Sequence, residues 1–366
     1  MALDNRGILL SRLHLDLSLL GGVLLLCLMG LVVLYSASEH SIDVVLKQAA
    51  RMLLGLSLMI AVAQLSPMRL ARWAPGLYVF GMVLLVLTTF LGEGKGAHRW
   101  LDLGPIRFQP SEIMKLATPM TVAWFLRDQM LPPRLPIVLV SLGLALVPGA
   151  LIAEQPDLGT AILVMAAGLL VLFFAGISWR YIGVAVLAGL VLAPIGWYAM
   201  HDYQRQRILT LLDPMKDPLG TGYHIIQASI AVGSGGVTGK GWLNGTQSHL
   251  EFLPERATDF IFAVFCEEFG LLGVLMLLAA YMLVLVRGIT IALEAQDPFG
   301  RLMAASLTFT LFIYIFVNMG MVIGQLPVVG VPLPLISFGG TSLVTLLTGL
   351  GILMSIRTHR RLMAES

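Results

Sequence analysis

Apolar residues fill ten long runs of this 366-residue chain, and polar residues gather between the runs. About 20 apolar residues are enough to cross a bilayer as an α-helix, because each residue adds about 1.5 Å of rise. The pattern predicts an all-α polytopic integral membrane protein whose transmembrane helices form a single domain over residues 1–366. The ten predicted helices lie at about 17–36, 52–65, 75–92, 113–126, 135–153, 158–179, 181–200, 260–286, 302–324 and 339–356.

Two segments depart from this simple alternation. Residues 324–340, GQLPVVGVPLPLISFGG, hold three prolines and four glycines and cannot continue a regular helix. At membrane depth their backbone groups need partners, so we expect this segment to line protein or a cavity. The connection 201–258, between the seventh and eighth predicted helices, is long and rich in Gly, aromatic and His residues. That length and composition favour an ordered, functional loop.

Composition and charge fix the class and the orientation. A hydrophobic content of 57% and a mean hydropathy of +0.88 exclude an ordinary soluble domain. The net charge of +2 gives no indication of nucleic-acid binding. Arginines in alternate loops place both termini in the cytoplasm and the loop 201–258 outside. Two predicted outer loops depart from this rule: 37–51, with Lys47 and Arg51, and 93–110.

The outer stretch 96–115, GAHRWLDLGPIRFQPSEIMK, carries candidate chemistry where it enters the fourth helix. Ser111 is a predicted N-cap, and Glu112 suits the positive end of the helix dipole. Lys115 follows three residues later on the same helix face. It either snorkels to the surface or points into a polar cavity. Trp100 suits an interfacial anchor, a common place for Trp.

Acids cluster at the predicted start of the eighth helix. Thr258 is a candidate cap, and Asp259 is predicted to open the helix. Glu267 and Glu268 follow about two turns later, at an apolar depth where a carboxylate typically costs ~2.5–3.5 kcal/mol or more. We therefore expect this helix to border a hydrated cavity open to the outside. Asp259 would lie at the mouth of that cavity as a candidate base.

Three further motifs have competing interpretations. In AEQPDLGT, Asp157 is either the cap of the sixth helix or a substrate-binding residue. In HDYQRQR, Arg205 and Arg207 are candidate contacts for phosphate or anionic headgroups. GSGGVTGKG at 233–241 is not a P-loop, because Ser234 stands where that motif needs Gly and Gly241 where it needs Ser or Thr. The histidine spacings match no metal-ligand pattern, so no metal site is predicted.

Six motifs in order give the chain a resemblance that covers essentially its whole length. The chain resembles the SEDS family (shape, elongation, division and sporulation), and most closely the elongation branch of that family. The motifs are GAHRWLDLG and FQPSE within 96–112, QPDLGT at 155–160, HDYQRQR at 201–207, DPLGTGYHIIQ at 217–227, LEFLPERATDFIF at 250–262 and LPVVGVPLPLISFGGTS at 326–342.

The resemblance implies a peptidoglycan glycosyltransferase that acts on lipid II at the outer face of the bacterial cytoplasmic (inner) membrane. It implies a class B penicillin-binding protein as partner. The essential aspartate of the family falls on Asp259, and its functional loop tryptophan falls on Trp100. Relatives often carry His where this chain has Ala257, so a histidine base at that position is excluded here.

An inverting glycosyl transfer needs a base for the acceptor hydroxyl, and Asp259 is the hypothesis. The undecaprenyl pyrophosphate leaving group needs cations. The candidates, in falling order of preference, are Lys115, Arg99, Arg256 and Arg205, and Glu112 is predicted to hold Lys115 in position. A divalent cation that shares this task stays open. Two alternatives remain at this stage: a lipid II flippase, and a scaffold that only recruits a penicillin-binding protein.

Overall fold

The computed structural model describes residues 14–91, 100–102, 107–200, 202–216, 222–246 and 255–359. This part of the chain folds into twelve helices and one short hairpin. The helices are α1 (Leu17–Ala37), α2 (Ile42–Ala63), α3 (Pro67–Leu91), α4 (Ser111–Leu126), α5 (Leu135–Glu154), α6 (Leu158–Phe174), α7 (Trp179–Ala199), α8 (Asp202–Leu212), α9 (Tyr223–Ser234), α10 (Ile261–Glu294), α11 (Pro298–Val322) and α12 (Thr341–Thr358). A 3₁₀ turn, Pro214–Lys216, follows α8, and the antiparallel hairpin pairs β1 (Leu101–Asp102) with β2 (Arg107–Phe108).

All ten predicted spans correspond to helices, which confirms the polytopic all-α class. Eight of the described helices are long and apolar enough to cross a membrane, and α6 is a shorter apolar helix. The tenth, α4, has 16 residues and carries Glu112 and Lys115.

Several boundaries were wrong. The second predicted helix begins at Ile42, so Lys47 and Arg51 lie inside a helix and not in an outer loop. The third begins at Pro67 instead of 75, and the eighth continues to Glu294 instead of 286. Apolarity alone could not reveal this, because a helix continues through polar residues that do not face lipid.

Contacts between antiparallel helices define two ends of the bundle. Along α1 and α10, Arg287 binds Asp16 at 2.5 Å at one end, and Ser36 donates a hydrogen bond to Glu268 towards the other. We call the first end the arginine face, and it carries Arg69, Arg72, Arg127, Arg134, Arg180, Arg287, Arg301 and Arg357. The opposite end, the loop face, carries the hairpin, the start of α10 and the segment between α11 and α12. Both α1 and α12 have their terminal ends at the arginine face, as predicted for the two termini.

The glycine-rich motif at 233–241, GSGGVTGKG, packs against a break in α10. Gly270 has a φ of 60° and a ψ of −161°, which interrupts the helical ladder. Lys240 N and Gly241 N donate to the carbonyls of Glu267 and Glu268, both at 3.0 Å. In return, the amides of Leu271 and Leu272 donate at 3.0 Å to the carbonyls of Gly236 and Val237, respectively. A Cβ at Gly239 would lie 2.1 Å from the Glu268 carbonyl oxygen, so these glycines serve close backbone packing and not phosphate binding.

Residues 324–340 enter the bundle as an irregular segment, which we call the re-entrant segment. Leu333, Leu335 and Ile336 are buried, and a Cβ at Gly30 of α1 would lie 2.7 Å from the Leu335 carbonyl oxygen. The Tyr281 hydroxyl of α10 donates to the Pro334 carbonyl at 2.5 Å. Side chains of neighbouring helices thus satisfy non-helical backbone at depth, which confirms the expectation that this segment lines protein.

Candidate active site

Asp259 lies in a turn immediately before α10, and the turn is held through its backbone. The Asn318 side-chain amide donates to the carbonyls of Asp259, at 3.0 Å, and Val331, at 2.7 Å. The Ser337 hydroxyl donates to the Thr258 carbonyl at 2.6 Å. Phe338 N donates to the Ala257 carbonyl at 2.8 Å. Three consecutive carbonyls are therefore fixed by α11 and the re-entrant segment, while the Asp259 carboxylate is left out of this network.

The local prediction for this turn was partly wrong. The helix begins at Ile261 and is preceded by Phe260, with no side-chain cap. The Thr258 hydroxyl bonds to its own turn, at 2.8 Å from the Glu255 carboxylate, and therefore does not cap the helix. Asp259 lies two residues before the helix instead of opening it. This placement leaves its side chain outside the first helical turn.

The environment of Asp259 makes its carboxylate more basic than usual. Burial, together with the neighbouring Glu255 carboxylate, raises the pKa of Asp259 from 3.8 to about 6, and the positive charge of Arg207 acts in the opposite direction. No residue in the described ranges donates a hydrogen bond to this carboxylate. A carboxylate without a described hydrogen-bond donor and with a pKa of about 6 has the properties that a general base needs.

Glu112 and Lys115 form a buried ion pair on the first turns of α4. Lys115 Nζ lies 2.7 Å from Glu112 Oε1, and their side chains are 11% and 5% exposed, respectively. Lys115 Nζ also lies 5.6 Å from the centre of the Tyr314 ring of α11. The predicted pairing is confirmed. Ser111 is the first residue of the helix and Pro110 precedes it, so Ser111 is not the predicted N-cap, and its Oγ is buried without a described partner.

Asp157 anchors two motifs to each other at the loop face. Its Oδ1 accepts a hydrogen bond from Thr160 N at 3.3 Å, which confirms the cap of α6. Its Oδ2 accepts from Gln109 Nε2 at 2.8 Å, in the stretch that leads into α4. With both carboxylate oxygens engaged, Asp157 has a structural role that positions the start of the Glu112 helix.

The predicted arginines do not gather at one point. Arg205 donates to the Trp197 and Tyr198 carbonyls at 2.9 and 2.6 Å, and so binds the C-terminal end of α7. Arg256 pairs with Glu39 in the turn between α1 and α2. Arg99 lies outside the described residues. Arg207, which was predicted beside Arg205 as a headgroup contact but was not ranked among the cations for the leaving group, is the arginine whose charge acts on Asp259.

A large cavity, which we call the long cavity, runs along α2, α3, α4 and α12 with a volume of 1150 Å³. At the loop face it is lined by Trp100, Glu112 and Thr258, the residue that precedes Asp259. At the arginine face it is lined by Leu65 and Leu70. The cavity thus has a polar mouth beside the Asp259 turn and a mostly apolar interior, which Arg51 and threonines of α12 also line.

Glu267 and Glu268 correct the prediction of a hydrated cavity beside α10. Glu267 is fully buried and accepts from Lys240 Nζ at 2.7 Å and Thr246 Oγ1 at 3.0 Å. Glu268 is 1% exposed and accepts from Ser36 Oγ. Neither lines the long cavity. These carboxylates fasten the glycine-rich motif and α1 to the break in α10, through partners that are distant in sequence.

Asn318 is the positioning residue that sequence reasoning missed. The sequence does contain an indication of this role, because Asn318 is an amide within the stretch 302–356, which has no charged residue. A buried amide in an apolar helix has to find hydrogen-bond partners, which here are the carbonyls next to the candidate base. Among the described residues there is no group of three or more His, Cys, Asp or Glu suited to a metal ion. Cys27 and Cys266 are buried free thiols.

Comparison with known sequences adds a decisive observation: residues 17–362 match the FtsW/RodA/SpoVE profile, which describes cell cycle proteins. The chain belongs to this family. It is 53% identical over 364 residues to the peptidoglycan glycosyltransferase MrdB of Escherichia coli K12, covering 99% of this chain and 98% of that protein. It is 35% identical to the protein of that name from Helicobacter pylori J99, covering 98% and 93%.

Solved structures of the family share the fold. A chain from a structure described as coordinating polymerization and crosslinking by a peptidoglycan synthase complex matches with a TM-score of 0.82 and 35% identity, covering 93% of this chain and 97% of that chain. The crystal structure of the rod shape determining protein RodA of Thermus thermophilus matches with a TM-score of 0.71 and 30% identity, covering 93% and 96%. Family membership together with the spanning helices makes this chain a multi-pass membrane protein.

Proposed function

We propose that this chain is a peptidoglycan glycosyltransferase that polymerises lipid II into glycan strands during cell elongation. The names of its relatives support the activity, and one observation carries the mechanism. Asp259 has a pKa of about 6, a backbone fixed by Asn318 and a carboxylate free of described hydrogen-bond donors, beside the polar mouth of the long cavity. That arrangement suits a base for a hydroxyl nucleophile better than a structural acid.

The proposed step is an inverting glycosyl transfer. The Asp259 carboxylate takes the proton of the acceptor sugar hydroxyl as that oxygen bonds to the anomeric carbon of the donor. The bond from the anomeric carbon to the pyrophosphate breaks, and undecaprenyl pyrophosphate leaves with the electron pair. Proton transfer of this kind typically contributes ~10²–10⁴-fold to the rate. The charge that develops on the leaving group has to be met by preorganised cations.

Lys115 was the first-ranked predicted cation for the leaving group, but it does not line the long cavity, whereas its partner Glu112 does. It is buried beside Glu112, which fixes its position at 2.7 Å. Arg205 and Arg256 rank lower because the α7 carbonyls and Glu39 already engage them. The described carboxylates do not form a metal-binding group, so no step is assigned to a divalent cation.

The long cavity is the proposed site of the undecaprenyl chain. Its interior is mostly apolar, while Trp100, Glu112 and Thr258 lie at its mouth. A lipid placed there would have its pyrophosphate at the loop face and its chain in the bundle. Because arginines gather at the opposite end, the loop face is proposed to be extracytoplasmic, in the bacterial inner membrane.

A class B penicillin-binding protein is the proposed partner. Support comes from the structural relative described as a synthase complex that coordinates polymerization and crosslinking. In this proposal the partner crosslinks the glycan that this chain makes. We expect the partner to activate polymerisation, and equal rates from the isolated chain and the complex would contradict that expectation.

A lipid II flippase is the second candidate, since the long cavity reaches from the loop face to the arginine face. Against it, the described lining at the arginine face is apolar, with Leu65, Leu70 and Ile352. A sugar headgroup would have to cross that region without polar partners. The glycosyltransferase is therefore favoured.

The deciding experiment measures glycan polymerisation from labelled lipid II by the purified complex in detergent. Wild type is compared with Asp259→Asn, after both are shown to fold and to bind the partner equally. The proposal expects polymer from wild type and a loss of about 100-fold or more in the variant. Equal polymer from both would move the base to another residue, with Glu112 tested next. No polymer from either would favour the flippase.

A further inference from the structure

Arg51 is a basic residue placed deep in a spanning helix. It lies in α2, about two and a half turns from the first residue, Ile42. An arginine at such depth is costly unless it faces a polar cavity or a partner. Its side chain lines the long cavity, and its guanidinium carbon lies 4.6 Å from the centre of the Phe338 ring in the re-entrant segment.

The charge of Arg51 is not neutralised by the described part of the protein. No carboxylate in the described ranges forms an ion pair with it. Of the residues described around the long cavity, Arg51 is the only Lys or Arg, and Glu112 is the only acid. Glu112 is itself paired with Lys115. The cavity therefore presents one guanidinium group whose charge a bound anion would neutralise.

The position of Arg51 connects it to the candidate base. The ring on which it stacks belongs to Phe338, whose amide donates at 2.8 Å to the Ala257 carbonyl, two residues before Asp259. An anion bound by Arg51 would thus lie close to Phe338, which belongs to the re-entrant segment that fixes the Asp259 turn. Beyond Arg51 the cavity continues along apolar side chains such as Leu54 and Val62. A ligand that satisfies both features has an anionic group and a long hydrocarbon chain.

We propose that Arg51 binds the phosphate groups of a polyprenyl pyrophosphate whose chain occupies the long cavity. The inference rests on the proposed function and adds a substrate-binding residue to it. A guanidinium presents paired donors that match phosphate oxygens, and stacking on an aromatic ring holds it in place without consuming those donors. A membrane phospholipid offers similar chemistry, but its two chains fit a single groove less well.

The test measures lipid binding in detergent from the fluorescence of the protein, since Trp73 and Trp100 line the cavity. Undecaprenyl pyrophosphate is compared with undecaprenol, which lacks the phosphates, and phosphatidylglycerol is added as a competitor. The variants are Arg51→Gln and Arg51→Lys. Arg69→Gln, which removes an exposed charge at the arginine face, is the matched control.

Arg51→Gln is expected to weaken undecaprenyl pyrophosphate binding about tenfold or more, because a charge-assisted contact is lost. Undecaprenol affinity should change less than about twofold, since apolar contacts remain. Arg51→Lys should recover part of the loss, and Arg69→Gln should match wild type. Phosphatidylglycerol should compete poorly.

Three results would overturn the inference: an unchanged preference for the pyrophosphate in Arg51→Gln, an equal loss for both lipids, or full competition by phosphatidylglycerol. An equal loss would mean that Arg51 only packs the cavity wall. If Arg51→Gln does not fold, the comparison rests on Arg51→Lys. There, a partial loss of the preference for the pyrophosphate over undecaprenol supports a phosphate contact, and an unchanged preference or an equal loss for both lipids contradicts it. Because the readout is binding, a wild type that polymerises without preferring the pyrophosphate contradicts this inference alone. A wild type that binds as expected but makes no polymer contradicts the proposed function instead.

Discussion

Two regions around α10 place acids in apolar surroundings and use them in opposite ways. At the break in α10, the side chain of Glu267 accepts hydrogen bonds from Lys240 and Thr246, at 2.7 and 3.0 Å. In the turn before the helix, the backbone carbonyl of Asp259 accepts a hydrogen bond from Asn318 at 3.0 Å, and the carboxylate has no described donor. Glu267 is fully buried, and Asp259 is partly buried in its turn. What separates them is whether the fold binds the side chain or the backbone.

The largest expected effect compares these two acids directly in the polymerisation assay. Asp259→Asn should lower the rate by about 10²–10⁴-fold, because it removes the proposed base. Glu267→Gln should stay within about threefold of wild type once rates are corrected for folded protein, since it retains an oxygen acceptor and Glu267 does not line the long cavity. A loss in Glu267→Gln as large as in Asp259→Asn would show that the comparison is mistaken.

The second effect concerns stability at the break. Lys240→Met removes the ammonium group that pairs with the buried Glu267 carboxylate, and we expect the free energy of unfolding to fall by about 3–5 kcal/mol. The double variant Lys240→Met with Glu267→Gln should recover most of this loss, because no unpaired charge remains. Thermal unfolding in detergent measures both variants. Equal melting temperatures for the single and double variants would mean that the ion pair is not what fastens this region.

The third effect is a gain in stability, which is expected when Asp259 is replaced. Its pKa is about 6 in the folded protein against an ordinary 3.8, so stability is lost as the pH rises through this window. Above pH 6 the neutral Asp259→Asn variant should be more stable than wild type by up to about 3 kcal/mol, and near pH 4 the difference should vanish. Thermal unfolding at both pH values tests this prediction. A destabilised variant at pH 8 would indicate that the carboxylate has a binding partner.

The fourth effect tests the backbone framework of the turn. Asn318→Leu removes the donor to two buried carbonyls, and we expect it to cost about 1–3 kcal/mol of stability. Polymerisation should fall about tenfold through kcat with little change in KM, because the base is misplaced after substrate has bound. Tyr281→Phe removes one donor to the re-entrant segment, at Pro334, and serves as a control with a smaller kinetic effect. A rise in KM alone would place Asn318 in substrate binding.

The smallest effect is a shift in the pH profile of polymerisation. The rate should fall about tenfold for each pH unit below 6, because only the ionised Asp259 accepts a proton. Glu255→Gln should move this limb to lower pH, and Arg207→Gln should move it to higher pH, because they remove charges that act on Asp259 in opposite directions. If neither variant moves the acidic side of the pH profile, that side reports the titration of a group other than Asp259.

Sequence reasoning succeeded where the determining contacts are local. The ten spans follow from runs of apolar residues, and the Glu112–Lys115 pair follows from a spacing of one helical turn. It failed where the partner comes from elsewhere. Glu267 and Glu268 were assigned to a cavity because Lys240 and Ser36 could not be foreseen as partners.

The same limit explains the errors among the basic residues. Arg205 and Arg207 are two positions apart in one motif, and only the fold decides which of them turns to Asp259. Arg51 was placed in a loop because its charge interrupts an apolar run, whereas the cavity lets the helix continue through it.

The framework of the Asp259 turn also sets a timetable for biosynthesis. The groups that fix its carbonyls lie at Asn318, Ser337 and Phe338, about 60 to 80 residues later in the chain. A ribosome that has just delivered α10 to the membrane has therefore made the proposed base without the parts that position it. Catalytic competence arrives only with α11 and the re-entrant segment, so a nascent chain that stalls before them would occupy the membrane without a formed site.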